Sequence, residues 1–464
     1  MSRVHAFSDD ALGDADAVEL ADRVRRRETS AAELRNAVAE RAALVDPQLR
    51  GLALDRIADP VSGERAGPLA GVPTLVKDNT DVRGWPVGNG TTAYVPAPAR
   101  EHAEVTRQLL ATGLDVLGLT RMPEYGLNAS TEYAVAEPTR NPWDPRFSAG
   151  ASSGGSAALV AAGVVPVAHA NDGGGSIRIP AAACGLVGLK PTRGRLAPNA
   201  NGARMPIDLV ADGIVSRSVR DTATFLAAAD RYRRNPALPP VGLVEGPARR
   251  RLRIGLVLDS PTGAQIDAET RTAVTEMAEL LGKQGHLVEP ATTGIGSRFV
   301  DDFLDYWGLL AFSVVTGGRW LHGRTFDPER LDALTHGLAD HYRKAMARTP
   351  VFLHRLRRVA QSYTELFTRH DVLLSPVLAH TPPEIGWLSP TVGFDELTRR
   401  LLDYVAFTPL CNVAGAPAIA VPAGTAANGL PLGVHLSTAA GDERTLLELA
   451  FALESDRPWP RIQG

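Results

Sequence analysis

Two glycine- and serine-rich turns stand out as places where this chain could do chemistry. They are Ser148-Ala149-Gly150-Ala151-Ser152-Ser153-Gly154-Gly155-Ser156 and Asn171-Asp172-Gly173-Gly174-Gly175-Ser176-Ile177-Arg178-Ile179-Pro180. Glycine loses the most backbone freedom on folding, so clusters of it belong where the chain needs positive φ or a close approach. Gly173, Gly174 and Gly175 set three N–H groups, unshielded by side chains, directly before a serine. An oxyanion hole is built this way, and Ser176 is then a candidate attacking hydroxyl. Gly150-Ala151-Ser152-Ser153-Gly154 also fits the Gly-x-Ser-x-Gly elbow of an α/β-hydrolase-type esterase. There Ser152 is the nucleophile, and the second glycine cluster is left without a task. A phosphate-binding loop is excluded, since neither turn ends in Gly-Lys-Ser or Gly-Lys-Thr. The plain alternative for both segments is an ordinary surface turn.

A serine nucleophile needs a base. His169 alternates with Val167 in a strand that reads as buried, the setting of a core or supporting histidine. Lys77 closes the apolar run Gly71-Val72-Pro73-Thr74-Leu75-Val76, where a solvated lysine is out of place. Burial lowers an amine pKa by up to several units and leaves a neutral base near pH 7. Only Lys77, Lys190, Lys283 and Lys344 are lysines; arginine supplies the other 45 of the 49 basic residues. Arginine does not deprotonate in proteins, so the chain's rare lysines merit separate scrutiny. Pairing with Asp78 at a strand end is the structural alternative for Lys77.

Elements must hold these groups in place. Val18 to Val24 has helical spacing, and Ser30-Ala31-Ala32-Glu33 is a capping box opening a helix that should stop at Asp46-Pro47. Strands are predicted at 72–76, 115–119, 165–170, 252–258, 372–374, 418–421 and 433–436. Helices are predicted at 102–112, 157–162, 267–283, 328–347 and 351–370. The alternation implies an α/β protein with helices on both faces of a sheet. Residues 231–251 read as a loop. The preferred organisation is one domain over 1–464: N-terminal helices over 1–65, a catalytic core over 66–230, and a remainder over 252–464 with a helical pocket part at about 298–370.

Composition narrows the function. With 44% hydrophobic and 22% charged residues the chain is globular, not disordered. A net charge of −3 gives no pull towards nucleic acid or an anionic membrane, and the arginine runs at 23–27 and 249–251 read as solvated surface. Cys184 and Cys411 are too few for a disulfide scaffold or a cysteine-rich metal site. The N-terminus has no signal-peptide core and no run approaches the ~18 apolar residues of a membrane span. A cytoplasmic protein is expected, with no nucleic-acid or membrane partner.

Several of these segments together resemble the amidase signature family. Gly150 to Ser156, Asp172-Gly173-Gly174-Gly175-Ser176-Ile177-Arg178-Ile179-Pro180-Ala181 and Cys184-Gly185-Leu186-Val187-Gly188-Leu189-Lys190-Pro191-Thr192 carry the resemblance, with Lys77 at the family's base position. It extends through Thr120 to Gly126, Ser216 to Asp221 and Asn412 to Ile419, and so covers most of the chain. It implies the amidase-signature fold, a large mixed twisted sheet with helices on both faces, and an amidase using a Ser–cis-Ser–Lys triad. Ser176 would be the nucleophile, Ser152 the proton carrier behind a cis peptide bond, and Lys77 the base. Gly173, Gly174 and Gly175 would hold the oxyanion, with Ser153 and Asn171 in support and Asp172 and Arg178 as a structural ion pair. Met122, Tyr125, Asn128, Trp307 and Phe312 would contact substrate. No cofactor or metal is implied.

Ala151, Asn171 and Gly173 stand where glycine, threonine and a larger residue are usual. Asn171-Asp172, with Arg140-Asn141-Pro142-Trp143 and Pro166 to His169, is most similar to the 6-aminohexanoate cyclic dimer hydrolase branch. The implied partners are a small-molecule amide, aryl amide, nylon oligomer or carbamate (urethane) and water, with a monomer or homodimer as the assembly. The competing functions are the glutamine-hydrolysing A subunit of a tRNA-dependent amidotransferase, the Ser152 esterase, and a catalytically inactive binding protein.

Overall fold

The computed structural model describes residues 3–198 and 202–463; Met1, Ser2, residues 199–201 and Gly464 lie outside the described residues. Eleven strands form among the described residues: β1 Leu52–Asp55, β2 Pro73–Lys77, β3 Asp115–Thr120, β4 Val167–Asp172, β5 Val187–Lys190, β6 Ala211–Ser216, β7 Arg253–Leu256, β8 Leu287–Pro290, β9 Val372–Pro376, β10 Ala418–Thr425 and β11 Pro431–Ser437. Eight of them make one mixed sheet in the order β4-β6-β5-β10-β11-β9-β7-β8, and three make a smaller one in the order β1-β3-β2. Pairing is parallel between β7 and β8, β7 and β9, and β2 and β3, and antiparallel elsewhere. Strands β2, β3, β4, β5, β6 and β9 are buried along their whole length, as strands covered on both faces must be. This is the expected α/β architecture, with helices on both faces of a large mixed sheet.

The two sheets meet where β2 runs beside β4. No backbone ladder joins them there; side chains do. Thr74 Oγ1 donates to Val167 O at 3.0 Å, and the Lys77 N–H donates to His169 Nδ1 at 3.2 Å. The end of β2 is thereby fixed against the middle of β4.

The helices follow local rules with two departures. The capping box at Ser30 and Glu33 starts a helix at Ala31, but it runs to Leu49, past Pro47. Pro47 sits in the last turn, where the missing N–H removes one bond only, and Asp46 Oδ1 accepts from Gly51 and Leu52 beyond it. The 298–370 region holds three helices, Ser297–His322, Ala333–Ala345 and Thr349–Leu366, joined by 3₁₀ turns, of which Pro328–Arg330 stands where helix is expected. Buried Phe299, Tyr306, Tyr342, Phe352 and Leu356 pack these helices together. Asp305 accepts from both Arg348 and His341, and Asp302 pairs with Arg355. No described helix is long and apolar enough to cross a membrane.

Candidate active site

Lys77 is the last residue of β2 and is 0% exposed. Its Nζ lies 2.7 Å from Ser152 Oγ, 2.7 Å from Asn171 Oδ1 and 3.5 Å from Asn171 O. Burial drives the amine down from 10.5 to about 7, with Asp212 and Asp172 opposing the fall. A neutral amine has two N–H donors and one lone pair. The two Asn171 oxygens can take the donors, which leaves the lone pair for the Ser152 hydroxyl proton. The geometry can therefore move a proton from Ser152 to Lys77 near neutral pH.

Ser152 follows a cis peptide bond from Ala151 and precedes the helix Gly154–Ala161. Gly126 passes directly over it: a methyl built on Gly126 would come within 3.0 Å of Ser152 Oγ, and the residue sits at φ +72°. Ser153 Oγ reaches Asn171 O at 3.3 Å. Asn171, expected in support of the triad, lines the cavity and spends its side chain on Lys77 and Asn79.

The turn that carries Ser176 is tied from within. Asp172 Oδ1 accepts from the Gly175 N–H at 2.7 Å, and Oδ2 accepts from Ile177 N at 3.1 Å and Arg178 Nε at 2.8 Å. Burial pushes the Asp172 carboxyl up, but the charge and hydrogen bonds of Arg178 outweigh it and hold the group well below the usual carboxylate range. Thr408 Oγ1 donates to Gly174 O at 2.7 Å. The Gly174–Gly175 peptide is thus held on both sides, its C=O by Thr408 and its N–H by Asp172. Gly175 has φ +136°, and a methyl there would meet Thr408 Oγ1 at 2.3 Å.

The N–H groups of this turn are therefore not equivalent. The Gly175 N–H is occupied by Asp172, whereas the N–H groups of Gly173, Gly174 and Ser176 have no protein acceptor among the described residues. Ser176 Oγ likewise has no protein partner among the described residues and faces the cavity. Ser152 and Ser176 line the same cavity without a hydrogen bond between their hydroxyls.

That cavity has a volume of about 1240 Å³. Val300, Phe303, Trp307 and Leu310, from one face of the helix Ser297–His322, line it as an apolar wall, with Phe303 close to Gly174. Tyr125 and Asn128 line it too, but Asn128 spends its amide on Leu388 O and the Ala129 N–H. Met122 and Phe312 do not line it. Met122 is buried beneath Gly126, and the Phe312 ring packs against Tyr342 with Arg343 over it. Phe312 is five residues beyond Trp307, roughly 140° around an α-helix of 3.6 residues per turn, so the two cannot share a face.

Four supporting residues escaped the sequence reading as site members. They are Thr408, Asn412, Asp212 and His435. Asn412 Nδ2 donates to Asp172 O and Oδ1 at 2.8 Å and its Oδ1 accepts from Arg178, while His435 Nε2 lies 2.9 Å from Arg178 Nη1. All four lie outside the glycine turns, and nothing in their local sequence marks them as site members. Among the described residues no cluster of three or more His, Cys, Asp or Glu side chains is arranged to hold a metal ion.

Residues 33–447 match the family described as Amidase. The chain is 49% identical over its whole length to a protein of Mycobacterium leprae named "Putative amidase AmiC", covering 99% of it. It is 33% identical to the 6-aminohexanoate-cyclic-dimer hydrolase of a Pseudomonas species, covering 96% of this chain and 95% of that one. A solved structure of 6-aminohexanoate cyclic dimer hydrolase superposes with a TM-score of 0.88 at 30% identity, over 98% of this chain and all of the other.

Proposed function

This chain belongs to the amidase family, and from that premise we propose that it hydrolyses small-molecule carboxamides through an acyl-enzyme on Ser176. The observation that carries the reading is the buried Lys77 amine, 2.7 Å from Ser152 Oγ at the wall of a cavity that also exposes Ser176. Neutral Lys77 takes the Ser152 proton, and Ser152 takes the Ser176 proton as Ser176 Oγ attacks the acyl carbon. The two serine hydroxyls come into hydrogen-bond contact in the substrate complex, as catalytic contacts often do. Developing charge on the carbonyl oxygen falls to the N–H groups of Gly173, Gly174 and Ser176. Ser152 then returns a proton to the departing nitrogen, which spares the expulsion of an amine anion, and water releases the acyl group by the reverse relay.

The size and apolar wall of the cavity suit an extended aliphatic or aryl acyl part, so the substrate class proposed is an aryl amide or nylon-type oligomer, with carbamates behind them. A Ser152 esterase is disfavoured because His169 is bonded to Lys77 N and Asp212 and does not reach Ser152. The test is treatment with a serine-directed sulfonyl fluoride, followed by peptide mass spectrometry on wild type and Lys77→Ala. An adduct on Ser176 that disappears in Lys77→Ala is expected. An adduct on Ser152 that survives the lysine change overturns the mechanism.

A further inference from the structure

Below Lys77 lies a second buried polar pair to which the mechanism above gives no task. His169, in β4, and Asp212, in β6, are 0% and 1% exposed. The Lys77 backbone N–H can only donate, so His169 Nδ1 must accept it and the ring proton belongs on Nε2. Nε2 lies 3.0 Å from Asp212 Oδ1. The other oxygen, Asp212 Oδ2, is buried with no hydrogen-bond partner. A carboxylate left half-satisfied in the interior is costly, and each such group calls for an explanation.

The charges around Lys77 supply one. Asp172 also faces it, but that carboxylate is chelated by Arg178 through two nitrogens, at 2.8 and 2.9 Å. Asp78, on the turn after Lys77, is taken up by the Gly88 and Gly90 N–H groups with Arg121 close to it. His169, Ser152 and Asn171 bring no formal charge in the tautomer fixed above. Asp212 alone among these faces the lysine with neither a cation nor a full set of donors.

We propose that His169 and Asp212 are positioning residues for Lys77, His169 fixing the strand end that carries the amine and Asp212 supplying the unbalanced negative charge it faces. His169 also replaces the missing ladder between β2 and β4, so the same imidazole sets where the amine sits and how far it is from the carboxylate. The negative charge favours the ammonium. Without it the buried amine becomes neutral at lower pH, where it is a weaker base. The pair thus matches Lys77 to neutral pH. The proposal builds on the Lys77 base reading, and its test separates the two.

Four lysines make a direct readout feasible. The protein is produced with ε-¹³C-lysine, the Lys77 resonance is assigned by its loss in Lys77→Ala, and its midpoint is followed in wild type and Asp212→Asn alongside the pH dependence of kcat/KM. The Lys77 midpoint is expected to fall by on the order of one pH unit in Asp212→Asn, with the acid limb of kcat/KM moving down equally. An unchanged Lys77 midpoint in folded Asp212→Asn overturns the proposal. A midpoint that moves while the kinetic limb stays supports the Asp212 assignment and instead refutes Lys77 as the base. Should Asp212→Asn not fold, Asp212→Ser serves, since it removes the same carboxylate with a smaller side chain; the same downward shift is expected and its absence is equally fatal.

Discussion

The peptide between Gly174 and Gly175 shows how much of the site rests on single hydrogen bonds. Its carbonyl is held by Thr408 Oγ1 at 2.7 Å and its N–H by Asp172 Oδ1 at 2.7 Å. Together they fix the peptide that joins Gly174 to Gly175, whose neighbours carry the N–H groups proposed above to receive the oxyanion. Thr408→Val keeps the shape of the side chain and removes the donor, so the peptide can rotate and the preorganised donors drift. A fall in kcat of about 10- to 100-fold with little change in KM is expected, by analogy with the cost of losing one oxyanion donor. Thr408→Ser should restore most of it. Steady-state kinetics on the three proteins decide the matter, and wild-type kcat in Thr408→Val would refute the role. Nothing near Thr408 in the sequence announces this function. Lys77, Ser152 and Ser176 are legible because their residue types are odd for their surroundings: a rare lysine in an apolar run, serines among glycines. Thr408 is an unremarkable threonine 234 positions from Gly174, and only the fold brings the two together.

At the level of elements, the β4 end, the glycine turn and the helix Arg178–Cys184 act as one unit because Asp172 and Arg178 close it from inside. Both side chains are 0% exposed. Removing one partner of such a pair strands the other charge, at a cost of about 3–5 kcal/mol. The sign of the pH dependence follows from Asp172, whose folded pKa lies below its unfolded value of about 3.9. Its stabilising contribution is complete above about pH 4 and is lost as pH falls through the folded pKa. Asp172→Asn should therefore lower Tm by several degrees at pH 7, and the gap to wild type should narrow as both are taken below pH 4. A gap that stays constant down to pH 3 would show that the charge of Asp172 is not what stabilises the unit. Sequence patterning captured β2, β3, β4 and the helix Gly154–Ala161, which carry apolar runs, but not the short helix Arg178–Cys184. It passed over β6, whose Ala211-Asp212-Gly213-Ile214-Val215-Ser216 mixes glycine, a carboxylate and apolar residues. Asp212 was invisible as a site residue for that reason: its strand was.

Across the whole molecule, one of the ties between the helical part and the catalytic core is a buried carboxylate, Glu124. Glu124 lies between the core turn at Pro123 and the strained Tyr125, which sits at φ +47°. Its Oε1 accepts from the Asp332 N–H at 2.8 Å and Thr335 Oγ1 at 2.7 Å, at the start of the helix Ala333–Ala345, and its Oε2 accepts from Thr91 Oγ1 at 2.6 Å. Burial, with Asp332 adding to it, pushes the Glu124 carboxyl up to about 7. The folded protein thus holds a proton on Glu124 that the unfolded chain, with a carboxyl near 4.3, releases. Between these values the folded state binds more protons, so this group's contribution to stability falls as pH rises from about 4.5 and levels off above about 7. Glu124→Gln keeps an oxygen for Asp332 and Thr335, and its amide can donate to Thr91 Oγ1, so the docking contacts survive without the buried charge. The variant and wild type should melt close together at pH 5, and the variant should melt a few degrees higher at pH 8, since each pH unit between the two values costs wild type about 1.4 kcal/mol and about 1 kcal/mol moves Tm by about a degree in a chain of 464 residues. If Glu124→Gln is instead less stable at pH 8, the ionised carboxylate is itself the attachment between core and helices, and the wall would be expected to loosen on acidification and not on alkalinisation.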